Sequence, residues 1–166
     1  YKNGMKNGNW KTYYSNGQLY EGANYVNGVE DGEYIVYNEN GQLYDQAAFK
    51  DGKRFGKYTK YYTDGKVKET GEYQEGKLIG KYISYYIGGE TKEDGEYIDG
   101  LFDGVFYDYR MGEKVGEYTI KEGKRNGKWI MYDLNGAIAR VGNYVNDKKE
   151  GHEIVYTYRT GTQAVD

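Results

Sequence analysis

Seven glycines set the rhythm of this chain. Gly8, Gly32, Gly56, Gly80, Gly104, Gly127 and Gly151 stand 24, 24, 24, 24, 23 and 24 residues apart. A period of that size marks a repeated supersecondary unit whose copies bury apolar surface against their neighbours. Other columns keep the same register. Two residues after each glycine stand Trp10, Tyr34, Tyr58, Tyr82, Phe106 and Trp129, until Glu153 breaks the series. Five residues after each glycine the column Tyr13, Tyr37, Tyr61, Tyr85, Tyr109, Tyr132, Tyr156 is unbroken. Nine residues after come Gly17, Gly41, Gly65, Gly89 and Gly136, with Gly112 one early and Gly161 one late. The reading is one repeat domain over 1–166 whose copies begin at 8, 32, 56, 80, 104, 127 and 151. Residues 1–7 match only the closing part of a copy, so the natural protein is expected to continue before Tyr1.

Each copy reads as a β-hairpin joined to the next by a second turn. In the first arm, aromatic and β-branched residues alternate with polar ones, which argues strand over helix. Asn16-Gly17, Asn40-Gly41 and Asp64-Gly65 close that arm, and such dipeptides tolerate the positive φ of tight turns. The second arm opens with Leu19, Leu43, Val67, Val115 or Ile138 and carries Tyr25, Phe49, Tyr73, Tyr97 or Tyr144 near its end. Two residues before that aromatic lies Ala23, Ala47, Gly71, Gly95 or Gly142, on the same face by period-2 alternation, leaving a hollow for a neighbouring ring. Asn27-Gly28, Asp51-Gly52, Glu75-Gly76, Asp99-Gly100 and Glu122-Gly123 make the second turn, with Asn146-Asp147 in copy six. Copy five is a residue short and places Ile120 where other copies have an aromatic.

Composition agrees with a thin structure. Hydrophobic residues are only 37% of the chain while tyrosine alone numbers 23, so phenol rings must do much of the packing with their hydroxyls wet or hydrogen-bonded. The expected architecture is all-β: tandem hairpins in one elongated, twisted antiparallel sheet, a solenoid-like rod. Roughly fourteen strands at about 4.8 Å would span about 65 Å, where a compact globule of this length has a radius of gyration of about 15 Å.

The pattern Tyr-x-x-Gly-x-x-x-Gly-x-aromatic-x-x-Tyr-x-x-x-Gly, as in Tyr25 to Gly41 and Tyr73 to Gly89, resembles the MORN repeat. Gly56-Lys57-Tyr58 and Asn16-Gly17-Gln18-Leu19 are similar to its bacterial variant, and the resemblance covers essentially the whole chain. It implies a non-enzymatic scaffold for protein association, in a family with reported contact with anionic lipids and with some bacterial members described as antitoxins. A second resemblance, through Trp10 to Gly17, is to aromatic hairpin repeats that bind choline or glucans at cell surfaces, though those run nearer 20 residues and use more tryptophan than Trp10 and Trp129.

Little in the chain suggests catalysis. The single histidine, His152, has no nucleophile beside it in a triad-like pattern, and there is no cysteine. Asn38-Glu39-Asn40-Gly41 lacks the later bidentate Glu of a calcium loop. No enzyme activity, cofactor or metal is therefore expected, and localisation is left open. Glu21, Asp45, Glu69 and Glu93 recur at one place in four second arms and read as a solvated face able to pair with lysine.

Two surfaces are candidates for recognition. Lys53, Arg54, Lys57, Lys77, Lys81, Lys124, Arg125, Lys128, Lys148 and Lys149 would align into a basic edge, interrupted by Val29-Glu30-Asp31 and Leu101-Phe102, that suits an anionic headgroup or an acidic protein. Secondly, the two aromatic columns of the first arm fall on opposite faces. The unbroken tyrosine column, with Ile35, Ile83, Ile130 and Ile154 two residues before, is expected to pack inward. Trp10, Tyr34, Tyr58, Tyr82, Phe106 and Trp129 are then left for a peptide, a glycan or a second copy, unless lysine stems and second-arm rings cover them. The partner expected is another protein, self-association included, with anionic lipid or glycan as alternatives. A net charge of −3 gives no reason to expect nucleic acid.

Overall fold

A computed structural model describes residues 1–157 and 162–165. The strands are β1 (Gly8–Tyr13), β2 (Leu19–Val26), β3 (Val29–Tyr37), β4 (Leu43–Lys50), β5 (Lys53–Tyr61), β6 (Val67–Gln74) and β7 (Lys77–Tyr85). They continue as β8 (Thr91–Ile98), β9 (Leu101–Arg110), β10 (Glu113–Lys121), β11 (Lys124–Tyr132), β12 (Ile138–Val145), β13 (Lys148–Thr157) and β14 (Thr162–Val165). All fourteen lie in one antiparallel sheet in chain order, so every strand from β2 to β13 pairs with the one before and the one after. The expected all-β row of hairpins is what the structure shows.

The two kinds of turn differ. Between copies, Asn27 and Gly28 both take positive φ (49° and 85°), as do Asp51 and Gly52 (50° and 76°), which is the type I′ geometry that matches strand twist. Within a copy the connection is a five-residue loop. Tyr14 N–H donates to the Gln18 carbonyl at 2.8 Å, and only Gly17 takes positive φ. Asn16 does a different job from the one expected of it, because its Oδ1 accepts the Gln18 N–H at 2.9 Å. Asn38 to Gln42 closes the same way at 2.7 Å, so the acidic stretch there is a hairpin loop.

Successive copies meet through a bulge at the opening glycine. Ala23 pairs with Tyr34 and Tyr25 with Glu30, so one residue of β2, Asn24, faces three of β3, Asp31 to Glu33. Gly32 absorbs the bend at φ 116°. The same step recurs at Gly56, Gly80, Gly127 and Gly151. Hydroxyls add a second join: Tyr14, Tyr62 and Tyr86 each donate to a carbonyl one copy ahead, of Tyr37, Tyr85 and Tyr107, at 2.8, 2.7 and 2.9 Å. These three were legible as the second residue of the doublets Tyr13-Tyr14, Tyr61-Tyr62 and Tyr85-Tyr86.

Candidate functional site

Cross-strand pairing assigns every residue to one of two faces. On the first, Tyr58 lies opposite Gly71 and Lys60 opposite Glu69. On the second, Thr59 pairs with Thr70 and Tyr61 with Val67. The burial of these faces reverses the expectation. Tyr58 is 2% exposed, Trp129 3% and Tyr82 6%, whereas Tyr13 of the unbroken column is 60% exposed and Tyr156 37%. Trp10, Tyr34 and Phe106 are half-buried, as are Tyr37, Tyr61, Tyr85, Tyr109 and Tyr132.

The reason is supply of rings. On the first face each copy contributes an aromatic from both arms with a small residue between them. A Cβ placed on Gly71 would lie 3.0 Å from Tyr58 Cε1 and 3.3 Å from Tyr82 Cδ2, so rings from two copies fill the hollow. Tyr58 and Tyr73 stand 4.8 Å apart, Tyr34 and Phe49 5.0 Å, and Tyr82 and Tyr97 5.2 Å. The second face has one tyrosine per copy and an aliphatic residue opposite, and buries less. The column put forward for recognition is thus the packed core of the first face.

The carboxylates belong to that core, which corrects their reading as a solvated face. Asp45 is 4% exposed and paired with Arg54. Glu69 accepts from Lys60 Nζ at 2.9 Å and from the hydroxyls of Tyr58 and Tyr82 at 3.3 and 3.4 Å. Glu93 accepts from Ser84 Oγ at 2.6 Å and Tyr82 Oη at 3.4 Å, and Glu21 from Tyr34 Oη at 3.4 Å. Burial, reinforced by the Glu21 and Asp45 charges, pushes the Tyr34 hydroxyl up to about 12. Burial first and the neighbouring carboxylates second drive Tyr58 and Tyr82 well above the usual phenol range. Burial is the largest influence on Lys60 and opposes its charge, yet its value stays above the ordinary one because the hydrogen bond to Glu69 and the charges of Glu69 and Asp45 together exceed it.

The basic edge divides in two. Lys53, Lys57, Lys77, Lys81, Lys124, Lys128 and Lys148 are exposed at or near the turns between copies. The same turns carry Asp51, Glu75, Asp99 and Glu122, so the edge is of mixed charge. Arg54, Arg125 and Lys149 depart from it. They occupy the position two before the opening glycine and fold over rings of the first face. Arg54 lies 5.6 Å from Tyr34, 5.5 Å from Phe49 and 5.7 Å from Tyr73; Arg125 lies 4.5 Å from Tyr144; Lys149 lies 4.4 Å from Trp129. Lys6 does the same over Trp10 and Tyr25, while Phe102 fills the equivalent place between Tyr82 and Tyr97. Glu153, standing where other copies have an aromatic, accepts from Arg140 at 3.2 Å and Lys149 at 3.1 Å. Lys149 first and Arg140 with it hold the Glu153 carboxyl below its ordinary range.

Chemically, the first face is a chain of hydrogen bonds and cation–ring contacts already made within the molecule, and the second is an open stripe of half-exposed tyrosine, valine and isoleucine. Among the described residues no group of acidic, histidine or cysteine side chains is placed to hold a metal ion, and His152 is exposed on β13. The family model for the MORN repeat variant matches residues 6–27, 30–51, 56–75 and 125–146, just over half of the chain. No curated protein matches it.

Proposed function

The chain belongs to the MORN repeat variant family, generally non-catalytic repeat scaffolds, and from that premise we propose that it is a non-enzymatic scaffold whose second face associates with another protein. The observation that carries this reading is that, among the described residues, no second layer covers the sheet. A sheet with an apolar stripe ordinarily buries it against another layer. Here all strands form one sheet, and the stripe of Tyr13, Tyr37, Tyr61, Val67, Tyr85 and Ile138 is left half open. Half-exposed tyrosines supply large contact area at low entropic cost, which suits a protein interface.

The choline or glucan alternative needs free ring faces on the first face, and Lys6, Arg54, Arg125 and Lys149 occupy several of them. The lipid alternative has a mixed-charge edge to work with. Neither has an observation in its favour comparable to the open stripe. A photo-crosslinking residue placed at Tyr61, with a control at Lys77 on the edge, tests the proposal in the source cell. Crosslinking of a protein partner from position 61 and not from 77 is expected. Equal yields from both positions, or none from 61, would overturn it.

A further inference from the structure

The carboxylate column of the first face changes sign once. The residue that stands within its copy as Glu69 stands opposite Lys60, four after the opening glycine, is Glu21, Asp45 and Glu93 in copies one, two and four. In copy five it is Gly116, opposite Asp108 and Met131, and in copy six it is Arg140, opposite Met131 and Val155. Tyr34, Tyr58 and Tyr82 each donate to a carboxylate of this column. Trp129 occupies the same place in copy six and has no carboxylate to meet. Among the described residues its Nε1–H meets no acceptor, and Trp129 is only 3% exposed. A buried donor left unmade is costly, and such exceptions call for a cause.

Around that indole the surface is suited to an anion. Arg140, Lys149, Tyr118, Tyr144 and Met131 line an open pocket of about 380 Å³ with Trp129 as part of its floor. Among the described residues Tyr118 Oη donates to the Met131 thioether, at 3.4 Å. Two cations converge there, and Glu153 accepts from both. The Lys149 and Arg140 side chains are each 57% exposed, so either can move, and movement of Lys149 uncovers the ring it lies on.

We propose that this end of the first face binds a carboxylate of an acidic peptide segment, which supplies at Trp129 the acceptor that Glu21, Glu69 and Glu93 supply in the earlier copies. The ligand carboxylate takes the Trp129 N–H and the Arg140 and Lys149 cations, and Glu153 is the internal group it displaces. The apolar floor favours an anion carried on a side chain over a free ion. The proposal rests on the protein-association reading, and names the partner's chemistry at a second place, on the opposite face from the tyrosine stripe.

Trp10 and Trp129 are the two tryptophans, so Trp10→Phe makes Trp129 the sole indole reporter. In that background, titration with capped hexaglutamate is expected to give a saturable shift in indole emission, and capped hexaglutamine none. Glu153→Gln is expected to tighten binding about tenfold by removing the competing carboxylate, and Arg140→Gln to weaken it by about tenfold or more. Arg140 is exposed, so its variant keeps the strand circular dichroism. Equal response to hexaglutamine, no response to either peptide, or weaker binding in Glu153→Gln would each overturn the proposal. Saturation by inorganic phosphate at the same concentrations would overturn the peptide assignment in favour of simple anion binding. The crosslink from Tyr61 reads the other face, so failure here and failure of the scaffold reading are separate results.

Discussion

Residues 8–75 and residues 76–124 are the same sheet built by two sets of rules. In the first stretch each junction between copies carries a bulge at a glycine of positive φ, each hairpin loop is capped by Asn or Asp, and a small residue lies between two rings. The family model matches most of that stretch and none of the second. At the junction of β8 and β9 the bulge disappears. Gly95 pairs directly with Gly104, whose φ is not positive, and the ladder runs straight from Glu93 to Ile98. Next, β9 and β10 turn through Met111 and Gly112 alone, and Tyr118 takes the place of the small residue opposite Phe106. Strand order and pairing are nonetheless unbroken. Alternation and turn chemistry alone are therefore enough to continue the sheet, and what the repeat pattern adds is the bulge and the loop that set how one copy follows the next.

The largest effect expected from this contrast is at Gly95. A Cβ there would lie 2.7 Å from the Gly104 Cα, and a Cβ on Gly104 would lie 2.6 Å from the Gly95 Cα, so backbone must move to admit either. Gly95→Ala is expected to cost about 3 kcal/mol in urea denaturation. Gly71→Ala, which presses only on rings and takes the residue found at Ala23 and Ala47, is expected to cost about 1 kcal/mol or less. Equal costs at the two positions would remove the distinction between the two stretches.

That pair also shows what was legible in the chain and what was not. The period, the hairpins, both turns and the hollow at the small residue follow from residue types at fixed spacing. The short fifth copy was visible as a 23-residue interval, but not the straight ladder that results, because pairing of Gly95 with Gly104 depends on two strands at once. Which face packs was misread for a similar reason. Constancy made the Tyr13 to Tyr156 column look like the core, whereas burial follows the number of rings each face receives from both arms. The carboxylates at Glu69 and Asp45 looked like surface because sequence reports charge and spacing, and not the cations and hydroxyls brought to them by neighbouring strands.

Arg54 and Arg125 give the next contrast, between the regular second copy and the end of the irregular stretch. Arg54 pairs with an Asp45 that is almost wholly enclosed, while Arg125 and Asp147 meet at 3.2 Å with both side chains substantially exposed. Arg54→Met is expected to cost about 2 to 3 kcal/mol, because it strands a buried carboxylate. Arg125→Met is expected to cost under about 1 kcal/mol. A double-mutant cycle with Asp45→Asn checks the assignment: it must recover a large coupling for Arg54, and independence of the two changes would refute it.

A smaller difference lies at the loop hydroxyls. Tyr62 stitches its copy to the next through the Tyr85 carbonyl, and Tyr62→Phe is expected to lower stability by about 1 kcal/mol. The equivalent position in the fifth copy is Arg110, exposed at a tight turn, where Arg110→Ala is expected to stay within about 0.5 kcal/mol. Thermal midpoints measured side by side decide this, and a Tyr62→Phe midpoint equal to that of the parent would show that the carbonyl finds water as readily.

The last effect is nil at neutral pH and grows only in alkali. Tyr34 titrates near 12 in the folded protein against about 10 in an unfolded chain, and Tyr58 and Tyr82 are raised further still. A raised phenol binds its proton more tightly when folded, so its contribution is fully present below pH 10 and declines as pH climbs through the folded value. Stability should therefore be flat in this respect up to about pH 10 and fall from there through Tyr34, Tyr58 and Tyr82 together, with the Tyr34 share complete by about pH 12. The counterparts of these residues at Phe106 and Trp129 carry no ionisable proton, so the steepest part of the decline belongs to copies two to four, while Tyr107 and Tyr118, raised by burial, extend it into copy five. Tyrosine absorbance followed together with strand circular dichroism reads both events: ionisation of the core phenols and loss of the sheet should coincide. Full titration of all tyrosines near pH 10 with the sheet intact would mean that the hydroxyls of the first face are not held by Glu21, Glu69 and Glu93 at all.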